Sequence, residues 1–243
     1  MTATKADIIV QLKRDILPLQ GFKTTLNNTV VDAGLGPIKN AFPNSTFPIG
    51  AIHEFIAAGV EDTAATGGFV AGIISALMKA AGATIWISAS RTVFPPALKS
   101  FGIAPDKIIF IDLKKEKEIL WAMEEALKCK GLSAVIGEVQ ELSFTTSRRL
   151  QLAVEQSQVT GFILRRNPRS LNTTACITRW KITSLSSELA DDMPGVGFPR
   201  WNVALLKVRN GKPGSWQIEF AAGRFRHVSK IAAIPLEQKK KTG

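Results

Sequence analysis

A chain of 243 residues, 45% of them hydrophobic, is long enough for one large α/β domain with a substantial core. No apolar run reaches the roughly 18–20 residues of a membrane-spanning helix. Met1–Lys13 lacks a signal-peptide profile, so a reducing, cytoplasmic setting without membrane partners is expected. The net charge of +11 is lopsided: residues 1–144 carry 14 basic and 14 acidic side chains, residues 145–243 carry 17 and 6. That asymmetry points the C-terminal part towards a nucleic acid or an acidic protein. Two histidines (His53, His227) and two isolated cysteines (Cys129, Cys176) supply neither a zinc site nor a redox motif.

In chain order, Ala6–Leu19 reads as an amphipathic helix through Ile8, Ile9, Leu12, Ile16 and Leu17. A connecting arm rich in Asn, Thr, Gly and Pro follows to residue 48. Short apolar strands then alternate with helices. The strands are predicted over Ala51–Ala57, Ala83–Ser88, Lys107–Asp112, Ser133–Glu138 and Gly161–Arg165. The helices are predicted over Thr66–Ala80, Pro96–Phe101, Glu116–Lys128 and Thr145–Ser157. This alternation implies right-handed βαβ units and a mainly parallel sheet. Beyond Arg165 the pattern is strand-only: Ala175–Ser184, then a hairpin of Trp201–Val208 and Trp216–Ala222 around Asn210-Gly211. The expected organisation is an arm over residues 1–48, a domain over 49–230 and a basic tail over 231–243.

The turn between the first strand and first helix, Gly59-Val60-Glu61-Asp62-Thr63-Ala64-Ala65-Thr66, stands where a phosphate-binding loop of pattern G-x-x-x-x-G-K-[ST] is expected. Gly59 and Thr66 match. Ala64 replaces the second Gly and Ala65 the Lys that would neutralise β/γ-phosphates. Glu61 and Asp62 add repulsion. The run Phe47–Glu54 and the strands and helices after it resemble RecA-like ATPases, in which an acidic residue after the second strand activates water and a metal-associated Asp ends the fourth. That resemblance places Ser90 and Glu138 at these positions. ATP hydrolysis is therefore not expected, and neither a resident cofactor nor a metal; weak Mg²⁺–nucleotide binding through Thr66 and Glu138 is left open. His53 and Glu54 are neighbours on one strand and point to opposite faces, so His53 reads as structural.

The run Phe47-Pro48-Ile49-Gly50-Ala51-Ile52-His53-Glu54, with the strands and helices after it, resembles the RecA-like ATPase core. Within that group the chain resembles the ImuA family. The resemblance rests on Arg148-Arg149-Leu150-Gln151-Leu152-Ala153, Gly161-Phe162-Ile163-Leu164-Arg165-Arg166, Ala175-Cys176-Ile177-Thr178-Arg179-Trp180 and Gly197-Phe198-Pro199-Arg200-Trp201, and covers about residues 40–226. It implies a RecA-like P-loop fold with a C-terminal antiparallel extension. It implies a non-catalytic accessory role in error-prone translesion synthesis, with RecA and an ImuB-type Y-family polymerase homologue as partners and a DnaE-type polymerase as an indirect one. Two other readings stay open: a cell-division inhibitor resembling SulA, and a RecA-like ATPase with an atypical nucleotide site.

For partner or single-stranded DNA contacts the candidates are basic. Arg148 and Arg149 begin the helix after the fourth strand, and Arg165, Arg166 and Arg169 follow the fifth. Arg179, Arg200, Arg209, Lys212, Arg224 and Arg226 surround the hairpin. Salt bridging is the competing reading for the first five. Trp201 and Trp216 are expected to pack on the core rather than to stack on bases.

Overall fold

The computed structural model describes residues 11–12, 25–26, 29–30, 32–79, 82–187 and 197–228. Gln11 and Leu12 are helical. The rest of the predicted Ala6–Leu19 helix, most of the Ser186–Pro199 loop and the 231–243 tail lie outside the described residues.

The central strands are β1 (Ile52–Ala57), β2 (Thr84–Ser88), β3 (Ile108–Asp112), β4 (Ala134–Val139) and β5 (Thr160–Arg166). The C-terminal strands are β6 (Thr178–Leu185), β7 (Arg200–Val208), β8 (Gly214–Ala221) and β9 (Arg224–His227). All nine form one sheet, ordered β9-β8-β7-β6-β1-β5-β4-β2-β3. The six strands from β3 to β6 pair in parallel. β6 to β9 pair antiparallel.

Three helices cover this sheet: α1 (Val60–Met78), α2 (Glu116–Leu127) and α3 (Phe144–Ser157). Phe69, Val70, Ile73 and Ile74 of α1 pack on one face with Phe55, Trp180, Trp201, Val203 and Phe220. Met123 and Leu127 of α2 and Leu150 and Val154 of α3 pack on the other with Ile52, Val135 and Ile163. Strands covered on both faces read as continuous apolar runs, and every residue of β1, β4 and the first six of β5 is buried.

The predicted elements correspond to observed ones, with shifts at the start of α1 and in the C-terminal strands. The strand expected at Ala175–Ser184 begins at Thr178, after Ala175 and Ile177 are consumed in bonds to Ser147, Ile52 and Arg209. The β7–β8 hairpin forms, but its ladder ends at Leu205↔Gly214. The Asn-Gly pair is therefore part of a longer turn, which docks on the arm through the Lys212 N–H donating to the Ala41 carbonyl at 2.8 Å. Asn210 takes the left-handed conformation this turn needs, at φ 56°.

Candidate functional site

The largest departure from expectation is at the first strand–helix junction. α1 starts at Val60, not Thr66, so Ala64, Ala65 and Thr66 lie in its first two turns and no loop is left to cradle a phosphate. The turn is two residues, Ala58 and Gly59, the latter at φ 121° and ψ 178°, outside the range of a side-chain-bearing residue. Thr63 closes the first helical bond, its N–H and its Oγ1 both donating to the Gly59 carbonyl at 3.1 and 2.7 Å. Asp62 Oδ2 accepts from Ala58 N at 3.3 Å. Glu61 and Asp62 put negative charge at the positive end of the helix, where a phosphate would otherwise be favoured. The same carboxylates that read as repulsive in a loop thus read as helix-starting residues, and Ala64 and Ala65 propagate the helix.

Above this junction, at the C-terminal ends of β1, β2, β5 and β6, lies a cleft of about 870 Å³. Its floor is the small-residue face of α1: Ala64, Gly67, Gly68 and Ala71. A Cβ on Gly68 would sit 3.1 Å from both Phe101 and Trp201, so glycine lets those rings approach the helix. Phe94, Phe101 and Trp201 form the walls. Val60, Phe94 and Phe198, exposed by 87%, 68% and 55%, crowd its mouth. Clefts at strand C-termini are where open α/β sheets bind ligands, and this one presents mainly hydrocarbon, with Glu61, Arg166 and Arg200 also in its lining. Gly67 is different from Gly68: nothing lies within 4 Å of a Cβ there. Gly67→Ala is therefore expected to stabilise the fold by about 0.5–1 kcal/mol, read as a raised urea midpoint at unchanged slope.

Neither candidate for a metal–nucleotide contact is open. Thr66 is 1% exposed, and its Oγ1 is sealed without a hydrogen-bond partner among the described residues. Glu138 is 5% exposed; it accepts from Trp86 Nε1 at 2.6 Å and forms an ion pair with Arg166. Arg166 also donates to Thr92 Oγ1 at 3.0 Å, and burial lowers its pKa. Ser90 sits on an exposed bend, and the next residue, Arg91, pairs with Asp112 at 2.7 Å.

Arg165 is a correction. It is fully buried and meets no partner at the surface. Its guanidinium bonds Glu54 Oε1 at 2.9 Å, Glu141 Oε2 at 3.1 Å and the carbonyls of Gln140 and Ser170 at 3.2 and 2.9 Å. Arg179 is a correction of the same kind: its side chain is 14% exposed and its Nε donates to Glu54 Oε2 at 2.8 Å. Thr174 Oγ1 completes the set at 2.8 Å from the same oxygen. Glu54, fully buried mid-strand, is thus the hub that ties the segments after β4 and β5 to the sheet. A carboxylate inside an otherwise apolar run is the sequence signal for such a hub, because a buried charge demands partners.

The other basic candidates are dispersed. Arg200 pairs with Glu219 at 2.9 Å, and Arg209 donates to the Ala175 carbonyl at 3.2 Å. Arg149 pairs with Glu124 at 2.6 Å and Arg148 with Glu155 at 3.5 Å, both on exposed helix surface. Arg169, Lys212, Arg224 and Arg226 are exposed. Trp201 is a core residue, edge-on to Phe69 at 6.1 Å, and Trp216 packs partly buried against the same cluster. Cys176 is buried, which raises its thiol pKa to about 12. Among the described residues no cluster of His, Cys, Asp and Glu is fit to hold a metal, and no helix is long and apolar enough to cross a membrane.

No family model matches the sequence. Two strains of Caulobacter vibrioides have a protein named ImuA that is 34% identical over 220 residues, covering 84% of this chain and 90% of that protein. The cell division inhibitor SulA of Photorhabdus laumondii is 29% identical over 103 residues, 42% of this chain and 58% of its own length. Identity at that level over nearly the full length of both chains settles the family: the chain belongs to the ImuA family.

Proposed function

We propose that this chain is a non-catalytic, RecA-like adaptor in error-prone translesion synthesis after DNA damage. It docks partner proteins at the place where a RecA-like ATPase holds nucleotide. The cleft carries this reading: its floor is helix rather than phosphate loop, and its walls and mouth are mainly aromatic and aliphatic, with Glu61, Arg166 and Arg200 among the polar residues that line it. The sealed Thr66 hydroxyl and the ion-paired Glu138 support the absence of turnover. The RecA-like assignment is supported by β1 lying centrally in a parallel sheet and launching α1 from its C-terminal end. The repair role is supported by family membership. The protein partners are RecA and an ImuB-type Y-family polymerase homologue, through which a DnaE-type polymerase is reached; single-stranded DNA is a further contact.

Capture of purified RecA and of the ImuB-type partner by wild type, Phe94→Asp and Ala64→Arg tests this. Both positions are exposed, so the thermal midpoint is expected to hold while capture of at least one partner falls by about tenfold or more. Undiminished capture of both partners sinks the reading. So does ATP turnover that Thr66→Ala abolishes. Retention of the tubulin-like division protein, with neither repair partner bound, would favour the SulA-like alternative.

A further inference from the structure

The two faces of the C-terminal antiparallel strands differ sharply. Trp180 and Ile182 of β6, Val203 and Leu205 of β7, Ile218 and Phe220 of β8 and Phe225 of β9 pack beneath α1. Alternation sends their neighbours to the opposite face. There α2 and α3 pack on β1, β2, β4 and β5, and no helix among the described residues extends over β7–β9. Ladder register lays out the uncovered face in rows. Arg179 is beside Lys207; Lys181 crosses to Ala204 and Ser215; Thr183 crosses to Asn202 and Gln217; Arg200 crosses to Glu219 and Arg226. Arg224 follows at the edge.

The charge on this face is one-sided. Among the described residues of β6–β9, six cations share it with one carboxylate, Glu219, which pairs with Arg200 at 2.9 Å; Arg179 is taken up by Glu54 of β1. Lys181, Arg224 and Arg226 are exposed and have no ion-pair partner among the described residues. The side chains between them are small and polar. Leu206, stepped over where the ladder slips between Arg179 and Trp180, is the one large apolar side chain of β6–β9 that is exposed. A solvated antiparallel face ordinarily mixes both signs. A protein-docking face has buried apolar or aromatic anchors at its centre. A flat, cationic, hydroxyl- and amide-bearing face without such anchors has the make-up of a surface that contacts phosphates.

We infer that the uncovered face of β6–β9 binds the sugar–phosphate backbone of nucleic acid, with Lys181, Arg224 and Arg226 as its principal phosphate contacts. This rests on the adaptor reading only for the presence of DNA in the assembly, and its three principal residues lie outside the lining of the cleft. With no exposed aromatic ring on the face to stack bases, recognition is by charge and independent of sequence.

The test uses the full chain and fluorescence anisotropy with a labelled 20-nucleotide single strand and a 20-base-pair duplex. Wild type is compared with the triple variant Lys181→Glu, Arg224→Glu, Arg226→Glu across a salt series. The expected result is at least about a tenfold loss of affinity in the triple variant. Its log-affinity against log-salt slope should be shallower by about 0.7–0.9 for each phosphate that is no longer neutralised. The arm that binds more tightly identifies single strand or duplex as the source of the phosphates. Arg148→Glu with Arg149→Glu, on α3, should leave binding near wild type. An unchanged affinity in the triple variant overturns the inference, as does competition by polyglutamate as effective as that by DNA. Three milder Lys181→Gln, Arg224→Gln, Arg226→Gln changes, with the same direction expected, cover the case in which charge reversal unfolds the protein. Partner capture through the cleft is read separately, so either result stands without the other.

Discussion

Replacing Glu54 by Ala is expected to cost about 3–5 kcal/mol of folding free energy, read as a fall in the urea midpoint. The carboxylate is fully buried and accepts from Arg165, Arg179 and Thr174. Its removal leaves the Arg165 guanidinium, itself without solvent contact, opposite a void. Glu141 at 3.1 Å compensates only in part, since its side chain is 39% exposed and screened. Breaking a buried pair costs more than exchanging it for hydrocarbon of similar size. The double variant Glu54→Met, Arg165→Met should therefore recover part of the loss. A single variant as stable as wild type would show that the network holds little. The same geometry warns against reading Arg165 by charge reversal: such a variant would fail to bind anything because it fails to fold.

His53 should make stability fall as the medium is acidified below neutrality. The ring is fully buried between Phe47 and Phe162, at 4.4 and 5.5 Å. The Pro48 carbonyl can only accept, so Nε2 carries the proton across 2.8 Å. Trp180 Nε1 donates to Thr178 Oγ1 at 2.7 Å, which leaves the threonine hydroxyl to donate to His53 Nδ1 at 2.8 Å. A neutral imidazole is satisfied at both nitrogens; a second proton would oppose the Thr178 hydroxyl. Burial accordingly lowers the pKa from 6.5 to about 3, with the Pro48 bond acting the other way. As pH drops below 6.5 the unfolded chain takes a proton that the folded chain refuses, so stability is lost down to about pH 3 and is complete above 6.5. At pH 5 the loss is about 2 kcal/mol. Comparing urea unfolding at pH 7 and pH 5 checks it: His53→Phe should be less stable at pH 7 but lose about 2 kcal/mol less than wild type on acidification.

The sequence was legible where periodicity and chain order decide. Every central strand was expected close to its observed place, because apolar runs such as Ile52–Ala57 and Ala134–Val139 suit only strands covered on both sides; of the long helices, α1 starts six residues earlier than expected. The structural role of His53 was legible too, from strand alternation alone. The site was read less well. A motif template laid over residues 59–66 supposes a loop, whereas the residues themselves, two carboxylates followed by alanines, start a helix. Counting arginines likewise cannot tell a cation at the surface from one that neutralises a buried glutamate. Arg165 and Arg179 were separable from Arg224 and Arg226 only once β1, β5 and β6 were known to lie side by side.

By itself the sequence determined the α/β alternation, the alanines Ala64 and Ala65 after the first strand, and the excess of positive charge in the last hundred residues. These are properties of residue type and local order, which the chain carries before it folds. The tertiary structure alone decided what the first strand–helix junction presents. Phe94, Phe101, Phe198 and Trp201 come from segments about a hundred residues apart and meet over α1 only because β2 and β7 approach it from opposite sides. Glu54, Arg165 and Arg179 meet only because sequence-distant strands are adjacent in the sheet. Burial then sorts the cations: charge without a partner is too costly to hide, so those with buried partners hold the fold and those without remain at the surface.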